Sequence, residues 1–332
     1  MTYGEPKCFS KMKKELIDKF GRKVRYLRLS ITDRCNFKCF YCKPIKDFKY
    51  IPHEKILRYE DLLFLSKTLK EYGIEKIRLT GGEPFVRKGF LSFLRELSKI
   101  FDNVFITTNG YFLKESASEL KKIGIKSINI SLDTLRKERF EKITKVDALN
   151  RVLEGIEMSL VTGLRVKINS VLMKSTADEI IPLIEYAAER KIPIRFIELM
   201  PISSEVQREF LSEDSAKILI RKKFNLLPLN EKFGAGPSRY FKIKEIDGVV
   251  GFISALTHNF CDSCDKIRIT SDGKLRVCLA LDDEVSIKEP VIARDKNALI
   301  LTIKKALEKK PLSHNMSIGQ IISGKDMYQI GG

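Results

Sequence analysis

Three cysteines within eight residues are the first group in this sequence whose types and spacing indicate chemistry. Cys35, Cys39 and Cys42 are spaced C-x3-C-x2-C, directly after an alternating run that predicts a strand over 26–31. Thiolates on one short loop can bind a common metal centre, and such soft ligands select zinc, copper(I) or iron–sulfur clusters. Because a cubane cluster takes one thiolate per iron, three cysteines would leave one iron of a [4Fe–4S] cluster open. The alternative is a zinc site that borrows a distant fourth ligand.

A second cysteine trio lies near the C-terminus and has the spacing C-x2-C-x13-C. It consists of Cys261, Cys264 and Cys278, and a predicted hairpin, 267–270 with 275–278, folds the last thiol back towards the first two. Spacing alone slightly favours zinc, with His258 as a fourth ligand or as a plain structural histidine, over a second three-thiolate cluster. Since six of the seven cysteines fall in these trios, they indicate metal ligation in a reducing compartment rather than disulfides.

The elements that position these trios are predicted to alternate between strands and helices. The predicted strands are 26–31, 75–80, 103–108, 126–131, 164–171 and 192–197. The predicted helices are 59–72, 90–100, 114–123, 136–160 with a break near 144–147, and 177–190. This βα repetition predicts an α/β fold with a parallel sheet buried on both faces. Six units are too few to close an eight-stranded barrel, so we expect an incomplete (βα)6 TIM-type barrel.

Two further regions flank the predicted barrel, which spans residues 24–225. Residues 1–23 are expected to form an N-terminal arm with a short amphipathic helix near 11–20. Residues 226–332 are expected to form a smaller C-terminal part that carries the second trio and packs on the barrel mouth. Its predicted elements are a hairpin of 240–244 with 249–253 and a helix near 295–309.

The chain of 332 residues carries a formal net charge of +18. Nucleic acid, an anionic small substrate in a positive cavity, and a lysine-rich solvated surface each explain such an excess. We interpret most of it as surface lysine and expect no nucleic-acid partner. No apolar run is long enough for a transmembrane helix, and residues 1–25 lack the apolar core of a secretory signal. We therefore expect a cytoplasmic protein that has no membrane partner.

Polar and charged residues mark the C-terminal parts of the predicted strands. A Thr-Thr-Asn-Gly turn at 107–110 ends the third strand and Ser-Leu-Asp at 131–133 ends the fourth, while Lys167 and Arg195 lie in the fifth and sixth. Each alone has an ordinary explanation as a turn, a helix cap or a surface ion pair. In a parallel barrel these strand ends share one mouth, so we expect the residues to converge near its rim.

The first trio resembles the C-x3-C-x2-C signature of radical S-adenosylmethionine enzymes, in which an aromatic residue stands where Tyr41 does. A second element supports the resemblance, because residues 76–84 form a predicted strand that ends in GGEP, which in that family holds the methionine end of the cofactor. The resemblance implies the partial barrel, S-adenosylmethionine, and a [4Fe–4S] cluster on the first trio. It also implies that Tyr41, Gly82, Ser131 and Met200 line the cofactor pocket, with Gly82 permitting close backbone approach.

Together the two trios are similar to those of the GTP 3′,8-cyclase family of molybdenum-cofactor biosynthesis, a branch of the radical enzymes. The similarity runs from residue 24 to residue 332. The shared segments are RLSITDRC at 28–35, IRLTGGEP at 77–84, TTNG at 107–110, SLD at 131–133, IRFIE at 194–198 and the closing Gly-Gly. This resemblance reverses the slight preference for zinc at the second trio. It implies a second [4Fe–4S] cluster whose open iron binds guanine.

The same resemblance implies a reaction and a substrate site. A 5′-deoxyadenosyl radical would abstract hydrogen from C3′ of GTP, and the ribose radical would attack C8 on the way to (8S)-3′,8-cyclo-7,8-dihydroguanosine 5′-triphosphate, whose formation is the first step towards molybdopterin. The residues implied to meet GTP are Arg28, Arg78, Thr107, Lys167, Arg195, Lys266 and Arg268. Lys266 departs from the family's Arg-x-Arg pattern and loses the bidentate guanidinium fork. Gly331 and Gly332 would reach into the active site as a catalytic tail.

Further partners follow from the resemblance: an unidentified electron donor, a cyclic pyranopterin monophosphate synthase acting downstream, and a second copy of the chain in a homodimer. Two alternatives stay open at this stage. One is a radical enzyme that modifies a peptide, although such enzymes usually carry more than three C-terminal cysteines. The other is a zinc-ribbon protein that binds nucleic acid through its charge, which leaves the GGEP strand unexplained. Iron and zinc contents separate these alternatives.

Overall fold

The alternating elements predicted from the sequence form one continuous sheet with helices packed against it. The structure is a computed structural model that describes residues 14–42, 50–201, 204–231, 233–234, 236–318 and 327–331. Its strands are β1 (Tyr26–Ser30), β2 (Lys76–Thr80), β3 (Val104–Thr108), β4 (Ser127–Ser131), β5 (Arg165–Leu172), β6 (Ile194–Glu198), β7 (Leu226–Leu229), β8 (Arg239–Ile243), β9 (Gly248–Ile253), β10 (Lys266–Ile269), β11 (Lys274–Arg276) and β12 (Val285–Ser286).

The helices follow the predicted alternation closely. They are α1 (Tyr59–Glu71), α2 (Phe90–Ile100), α3 (Leu113–Ile123), α4 (Lys137–Thr144), α5 (Leu149–Val161), α6 (Ile180–Glu189), α7 (Ser204–Gln207), α8 (Glu213–Arg221), α9 (Lys288–Ile292), α10 (Lys296–Leu307) and α11 (Met327–Ile330). The predicted break near 144–147 is confirmed, since α4 ends at Thr144 and Lys145 takes a left-handed φ of 62°. None of the helices in the described ranges has both the length and the apolar character needed to span a membrane.

Eight neighbouring strands of the sheet run parallel. The sheet order is β12-β11-β10-β1-β2-β3-β4-β5-β6-β9-β8-β7, in which β10 pairs parallel to β1 and β9 pairs parallel to β6. The order ends at β12 and β7 instead of closing, so the expected α/β fold with an incomplete TIM-type barrel is confirmed. The C-terminal region thus supplies a strand at each edge of the six-unit sheet. The prediction that it packs on the barrel mouth is wrong for these strands, whereas the division at residue 225 stays a prediction.

The two faces of the sheet differ in chemistry because side chains alternate along each strand. One set, represented by Leu27, Leu29, Ile77 and Leu79, is fully buried and packs in the core with the helices. The other set contains arginine, lysine, serine and threonine and points to the opposite face. This face, which we call the cation-bearing face because it carries several buried cations, is a candidate site for an anionic ligand.

The N-terminal segment differs from its prediction. Residues 14–20 are not helical; instead Ile17 makes an antiparallel bridge with Lys23. The Asp18 carboxylate accepts hydrogen bonds from the N–H groups of Phe20 and Arg22, and Gly21 follows with a φ of 81°. A side-chain-stabilised turn therefore replaces the last part of the predicted amphipathic helix. The first part of that prediction lies outside the described residues.

Candidate functional site

The first cysteine trio lies on the loop that follows the C-terminal end of β1, and the GGEP segment after β2 packs directly against that loop. Gly82 N donates a hydrogen bond to Thr32 O at 2.7 Å, and Glu83 N donates to Arg34 O at 2.8 Å. A Cβ atom on Gly82 would stand 2.2 Å from Arg34 O. The backbone at Gly82 thus approaches the cysteine loop closely, whereas its approach to the cofactor stays a prediction.

Two N–H groups contact the sulfur atom of Cys35, the first cysteine of this trio. Phe37 N lies 3.4 Å and Asn109 Nδ2 lies 3.7 Å from Cys35 Sγ, and Asn109 also donates to Asn36 Oδ1 at 2.8 Å. Burial raises the pKa of the Cys39 thiol well above its ordinary value, and the neighbouring thiols of Cys42 and Cys35 raise it further. Three mutually close thiols with N–H donors to sulfur fit an iron–sulfur cluster.

None of the six cysteines of the two trios forms a disulfide bond within the described residues. Within the described ranges, no three Cys, His, Asp or Glu side chains converge tightly enough to ligate one metal ion. A cubane binds each thiolate to a different iron, so its ligands stand further apart than those of a single ion.

The residues predicted to line a cofactor pocket lie at the same end of the sheet as the first trio. Gly82 follows β2, Ser131 ends β4, and Met200 comes two residues after β6. Tyr41 OH donates to Asp133 Oδ2 at 2.6 Å, while Asp133 Oδ1 accepts from Val171 N at 2.8 Å. Burial raises the pKa of Asp133 to about 6. The Tyr41–Asp133 contact was not predicted from the sequence, although Asp133 belongs to the Ser-Leu-Asp segment at 131–133 that was expected near the barrel mouth.

Glu83 is a buried carboxylate that joins three segments at this end of the sheet. It accepts hydrogen bonds from Thr108 Oγ1 at 2.9 Å, Asn109 N at 2.7 Å and Phe85 N at 3.2 Å. Burial raises its pKa to about 7, and these hydrogen bonds oppose that rise. Glu83 thus ties the GGEP segment to the Thr-Asn-Gly turn, which in turn contacts Cys35.

Three arginines stand side by side on adjacent strands. The strand register pairs Arg28 with Arg78 on one side and with Arg268 on the other. Arg78 Nε donates to Tyr26 OH at 2.6 Å and its Nη1 donates to Thr107 Oγ1 at 3.2 Å. Arg28 and Arg78 are the middle residues of their strands. The expected position near the rim is wrong for Lys167 and Arg195, which are the third residue of β5 and the second of β6, because a strand pattern shows which way a side chain faces but not its depth.

Lys167 and Arg195 extend this cationic band across β5 and β6. Lys167 Nζ donates to Ser127 Oγ at 2.7 Å, and Arg195 Nη2 donates to Asn169 Oδ1 at 2.5 Å. In the described part of the chain, Arg195 Nε is buried without a hydrogen-bond partner.

Burial lowers the pKa of two cations in this band, Lys167 and Arg268. Burial first, then the charges of Arg195 and Arg78, lower the pKa of Lys167 to about 7. Burial likewise lowers the pKa of Arg268 to about 10, against the opposing effect of Cys278. Such shifts indicate a positive interior that an anionic ligand would stabilise.

Lys266 is half-buried beside this band and already has a carboxylate partner. Its Nζ lies 2.8 Å from Asp265 Oδ1 and 5.6 Å from the centre of the Tyr26 ring.

The second cysteine trio lies at the other end of the sheet. Cys264 precedes β10, whose first residue pairs with Tyr26 at the start of β1, and Cys278 follows β11, which runs antiparallel to β10. Burial raises the pKa of the Cys278 thiol. His258 Nε2 lies 3.3 Å from Asp214 Oδ1, so its ring faces a carboxylate on α8.

Two basic side chains at the second trio were not predicted from the sequence. Arg22 Nη1 donates to Cys261 O at 2.8 Å, and Lys310 Nζ lies 3.7 Å from Cys264 Sγ. Neither the spacing of the cysteines nor any motif identifies Arg22 or Lys310. A Lys-Lys-Pro sequence after a helix reads as an exposed helix end.

The C-terminal tail returns to the cation-bearing face of the sheet. Tyr328 and Ile330 are buried, and Gly331 O accepts a hydrogen bond from Thr80 Oγ1 at 2.9 Å. Gly331 has a φ of 85°, and a Cβ atom there would stand 3.0 Å from Ser30 Cβ. The tail therefore lies between the ends of β1 and β2. Gly332 lies outside the described residues.

These positions give the cation-bearing face a layered order along the strand direction. The first trio is at the C-terminal ends, Gly331 lies just below it at Ser30 and Thr80, the arginines follow, and the second trio is at the N-terminal ends. Five residues of a parallel strand span roughly 17 Å. The two thiol-rich ends of this face are therefore separated by about the length of one strand, with the arginines between them.

Two family models match the chain in adjoining stretches. The Radical SAM superfamily model matches residues 29–196, and the Molybdenum Cofactor Synthesis C model matches residues 192–316. Among curated proteins, the chain is 40% identical to the GTP 3′,8-cyclase of Petrotoga mobilis over 324 residues, which covers 96% of this chain and 100% of the relative. It is also 40% identical to the GTP 3′,8-cyclase of Peptoclostridium acidaminophilum, over 96% of this chain and 99% of that protein.

Solved structures with low sequence identity share the fold. The crystal structure of Streptococcus suis SuiB bound to S-adenosylmethionine superposes with a TM-score of 0.62 at 17% identity, over 86% of this chain and 68% of that chain. Native anSMEcpe with bound AdoMet superposes with a TM-score of 0.51 at 17% identity, over 82% of this chain and 81% of that chain. At these identities the likeness shows the fold alone.

Proposed function

Because the chain belongs to the GTP 3′,8-cyclase family of radical S-adenosylmethionine proteins, we propose that it converts GTP to (8S)-3′,8-cyclo-7,8-dihydroguanosine 5′-triphosphate. This lyase reaction is the first step towards molybdopterin and the molybdenum cofactor. The family membership rests on relatives that this chain matches over nearly its whole length. It implies S-adenosylmethionine and one [4Fe–4S] cluster, and the second cluster is part of the proposal.

The observation that carries the proposal is the cationic band between the two trios. Arg28, Arg78 and Arg268 stand in register, and Lys167 and Arg195 continue the band. A nucleoside triphosphate carries about four negative charges and offers the oxygen pairs that guanidinium forks bind. Burial and the charges of Arg195 and Arg78 lower the pKa of Lys167 to about 7, so an anionic substrate would stabilise the positive charge of the band in a way that an uncharged or cationic one would not.

In this proposal, residues at different depths of the barrel bind different parts of the reacting system. The first trio would hold a cluster beside a cofactor pocket lined by Tyr41, Gly82, Ser131 and Met200. The cationic band, with Thr107 fixing Arg78, would bind GTP chiefly through its triphosphate. The second trio, Cys261, Cys264 and Cys278, would hold a second cluster that faces the base. Lys266 would contribute less, because Asp265 already engages its ammonium group.

Each part of this arrangement supports radical chemistry in a different way. When bound, the reduced first cluster and S-adenosylmethionine supply a 5′-deoxyadenosyl radical, which takes hydrogen from C3′ of the nucleotide ribose. The tail at Gly331 covers the face between β1 and β2 and would exclude water from that ribose. Gly331 and Gly332 would act at the reacting part of the substrate, because the tail lies between the first trio and the arginines.

Product analysis tests the proposed function directly. The protein, reconstituted anaerobically with iron and sulfide, is incubated with GTP, S-adenosylmethionine and dithionite. We expect 5′-deoxyadenosine together with a product isomeric with GTP, and about eight irons per chain. A Cys35→Ser/Cys39→Ser/Cys42→Ser variant should form neither compound. Zinc without iron in the wild-type protein would contradict the proposal. So would cleavage of S-adenosylmethionine by the wild type without conversion of GTP to the cyclised product.

Other parts of the proposal concern the cellular context. A one-electron donor must reduce the first cluster, and a cyclic pyranopterin monophosphate synthase would use the cyclised product. We further propose a cytoplasmic location and a homodimer. Sedimentation of the reconstituted protein tests the dimer.

A further inference from the structure

Lys310 is a buried lysine whose contacts all lie at the second trio. Its side chain is 2% exposed. Its Nζ donates to Lys266 O at 2.5 Å and to Val277 O at 3.0 Å, and it lies 3.7 Å from Cys264 Sγ. An ammonium group has three N–H donors, so each of them has an acceptor here. Lys266 lies shortly after Cys264, and Val277 directly precedes Cys278. One ammonium group therefore connects the chain segment of Cys264 with that of Cys278.

The acceptors of this ammonium group leave its charge without a carboxylate partner among the described residues. They are two backbone carbonyls and a thiol sulfur. Burying an ammonium group costs several kcal/mol unless an opposite charge compensates it. A cysteine that ligates iron is a thiolate and supplies that negative charge. The position of Lys310 is therefore better explained by a ligating Cys264 than by a neutral one.

Arg22 holds the same region from the N-terminal arm. Its Nη1 donates to Cys261 O at 2.8 Å, and its Nη2 donates to Pro311 O at 2.6 Å, directly after Lys310. Asp18 fixes the guanidinium group through its Nε at 2.6 Å. The first cysteine of the trio and the segment that carries Lys310 are thus bound to a common group.

We propose that Lys310 is a positioning residue for the second cluster, which it holds through Cys264 and whose reduced form it favours through its positive charge. The inference rests on the proposed function, because it assumes that the second trio ligates a [4Fe–4S] cluster. Reduction adds one electron, and hence negative charge, to the cluster and its thiolates. A buried ammonium group in contact with one of those sulfurs stabilises the reduced form more than the oxidised form.

The test compares Lys310→Met and Lys310→Arg with Lys309→Met in the full reconstituted chain. Lys309 is a matched control because its side chain is 59% exposed and pairs with Asp283. Iron per chain is measured first, and dithionite titration followed by electron paramagnetic resonance then gives the reduction potential. The signal that changes when S-adenosylmethionine is added belongs to the first cluster and serves as an internal reference.

We expect Lys310→Met to lower the ratio of reduced to oxidised second cluster about tenfold at a fixed potential, a shift of about 59 mV for one electron. The first cluster, Lys310→Arg and Lys309→Met should keep wild-type values. Selective loss of the second cluster in Lys310→Met but not in Lys310→Arg would also support the inference. Two loaded clusters with unchanged potentials would overturn it. So would loss of both clusters or of the fold in both Lys310 variants, because the lysine would then serve general stability.

The proposed function fails in a different and recognisable way. Wild-type protein that binds about four irons, or zinc at the second trio, has no second cluster. That result is read from the wild type before any variant is made, and it would refute both the second cluster and the role of Lys310.

Discussion

Gly82→Ala should separate the GGEP segment from the cysteine loop. The added Cβ atom would stand 2.2 Å from Arg34 O and 2.9 Å from Asp33 O. Both oxygens belong to the backbone, so no flexible side chain can move aside. The two segments must move apart by roughly 1 Å to restore ordinary van der Waals contact. A shift of that size breaks the hydrogen bonds from Gly82 N to Thr32 O and from Glu83 N to Arg34 O.

The expected loss in the free energy of unfolding follows from these contacts. Two lost hydrogen bonds cost about 1–3 kcal/mol, and overpacking costs about 1–3 kcal/mol more. We therefore expect the free energy of unfolding to fall by about 2–6 kcal/mol, from a total of roughly 5–15 kcal/mol for an ordinary domain. Because the displaced loop carries the first trio, iron bound at that trio should fall as well.

Anaerobic urea unfolding and iron analysis measure both effects. Gly248→Ala is the control, because its Cβ atom would first meet the Ala188 side chain at 3.3 Å and its φ is not in the left-handed region. Its stability should change by about 1 kcal/mol or less. If Gly82→Ala unfolds within about 0.5 kcal/mol of the wild type and binds the same iron, the steric reasoning is wrong.

Three further predictions concern the substrate, the tail and pH. Arg268→Ala should leave both clusters loaded but weaken GTP binding about 10- to 100-fold, the value of one charge-assisted contact, as measured by anaerobic titration. Deletion of Gly331 and Gly332 should abolish the cyclised product while S-adenosylmethionine is still cleaved, as measured by chromatography. In the cluster-free protein, the folded state keeps the Glu83 proton up to about pH 7, whereas an ordinary glutamate loses it near 4.5. Wild-type stability should therefore fall relative to Glu83→Gln as the pH rises from 4.5 to 7, and the difference should be constant above 7.

Controls make these three outcomes decisive. Arg294→Ala changes an arginine that is paired with Asp61 on α1 and does not belong to the cationic band, and the variant should bind GTP normally. Normal GTP affinity in Arg268→Ala, or normal cyclisation by the truncated chain, would remove the proposed roles. Glu189→Gln, which alters an exposed carboxylate, should show no comparable pH effect. A Glu83→Gln difference that does not vary between pH 4.5 and 7 would show that Glu83 titrates as an ordinary glutamate.

Local periodicity predicted most of the βα elements. Each strand or helix buries one face, so its apolar residues recur at a spacing that is typical of that element. Periodicity even predicted the break between α4 and α5. The amphipathic pattern near 11–20 failed in its described part because the Asp18 carboxylate and Gly21 stabilise a turn there. Local side-chain hydrogen bonds outweigh a weak helical pattern when the segment is short.

The pairing of distant segments could not be predicted in this way. Nothing in the local pattern of β9 or β10 states that they join β6 and β1, because strand partners are chosen by the whole sheet. The depth of Arg28 in the barrel depends on the same pairing. Lys310 was missed for another reason: lysine is almost never buried without a partner, so its sequence gave no sign of a buried contact with Cys264.

The parallel pairing of β10 with β1 has a consequence for synthesis of the chain. Tyr26 pairs with Lys266, so the edge of β1 stays open until about 240 further residues have been translated. At ordinary rates of about 5–20 residues per second, that delay is roughly 10–50 s. During this time β1 exposes an unpaired backbone edge beside cysteines that react readily with metals and oxidants. The order of synthesis thus leaves the first trio on an incomplete sheet until the last strands arrive.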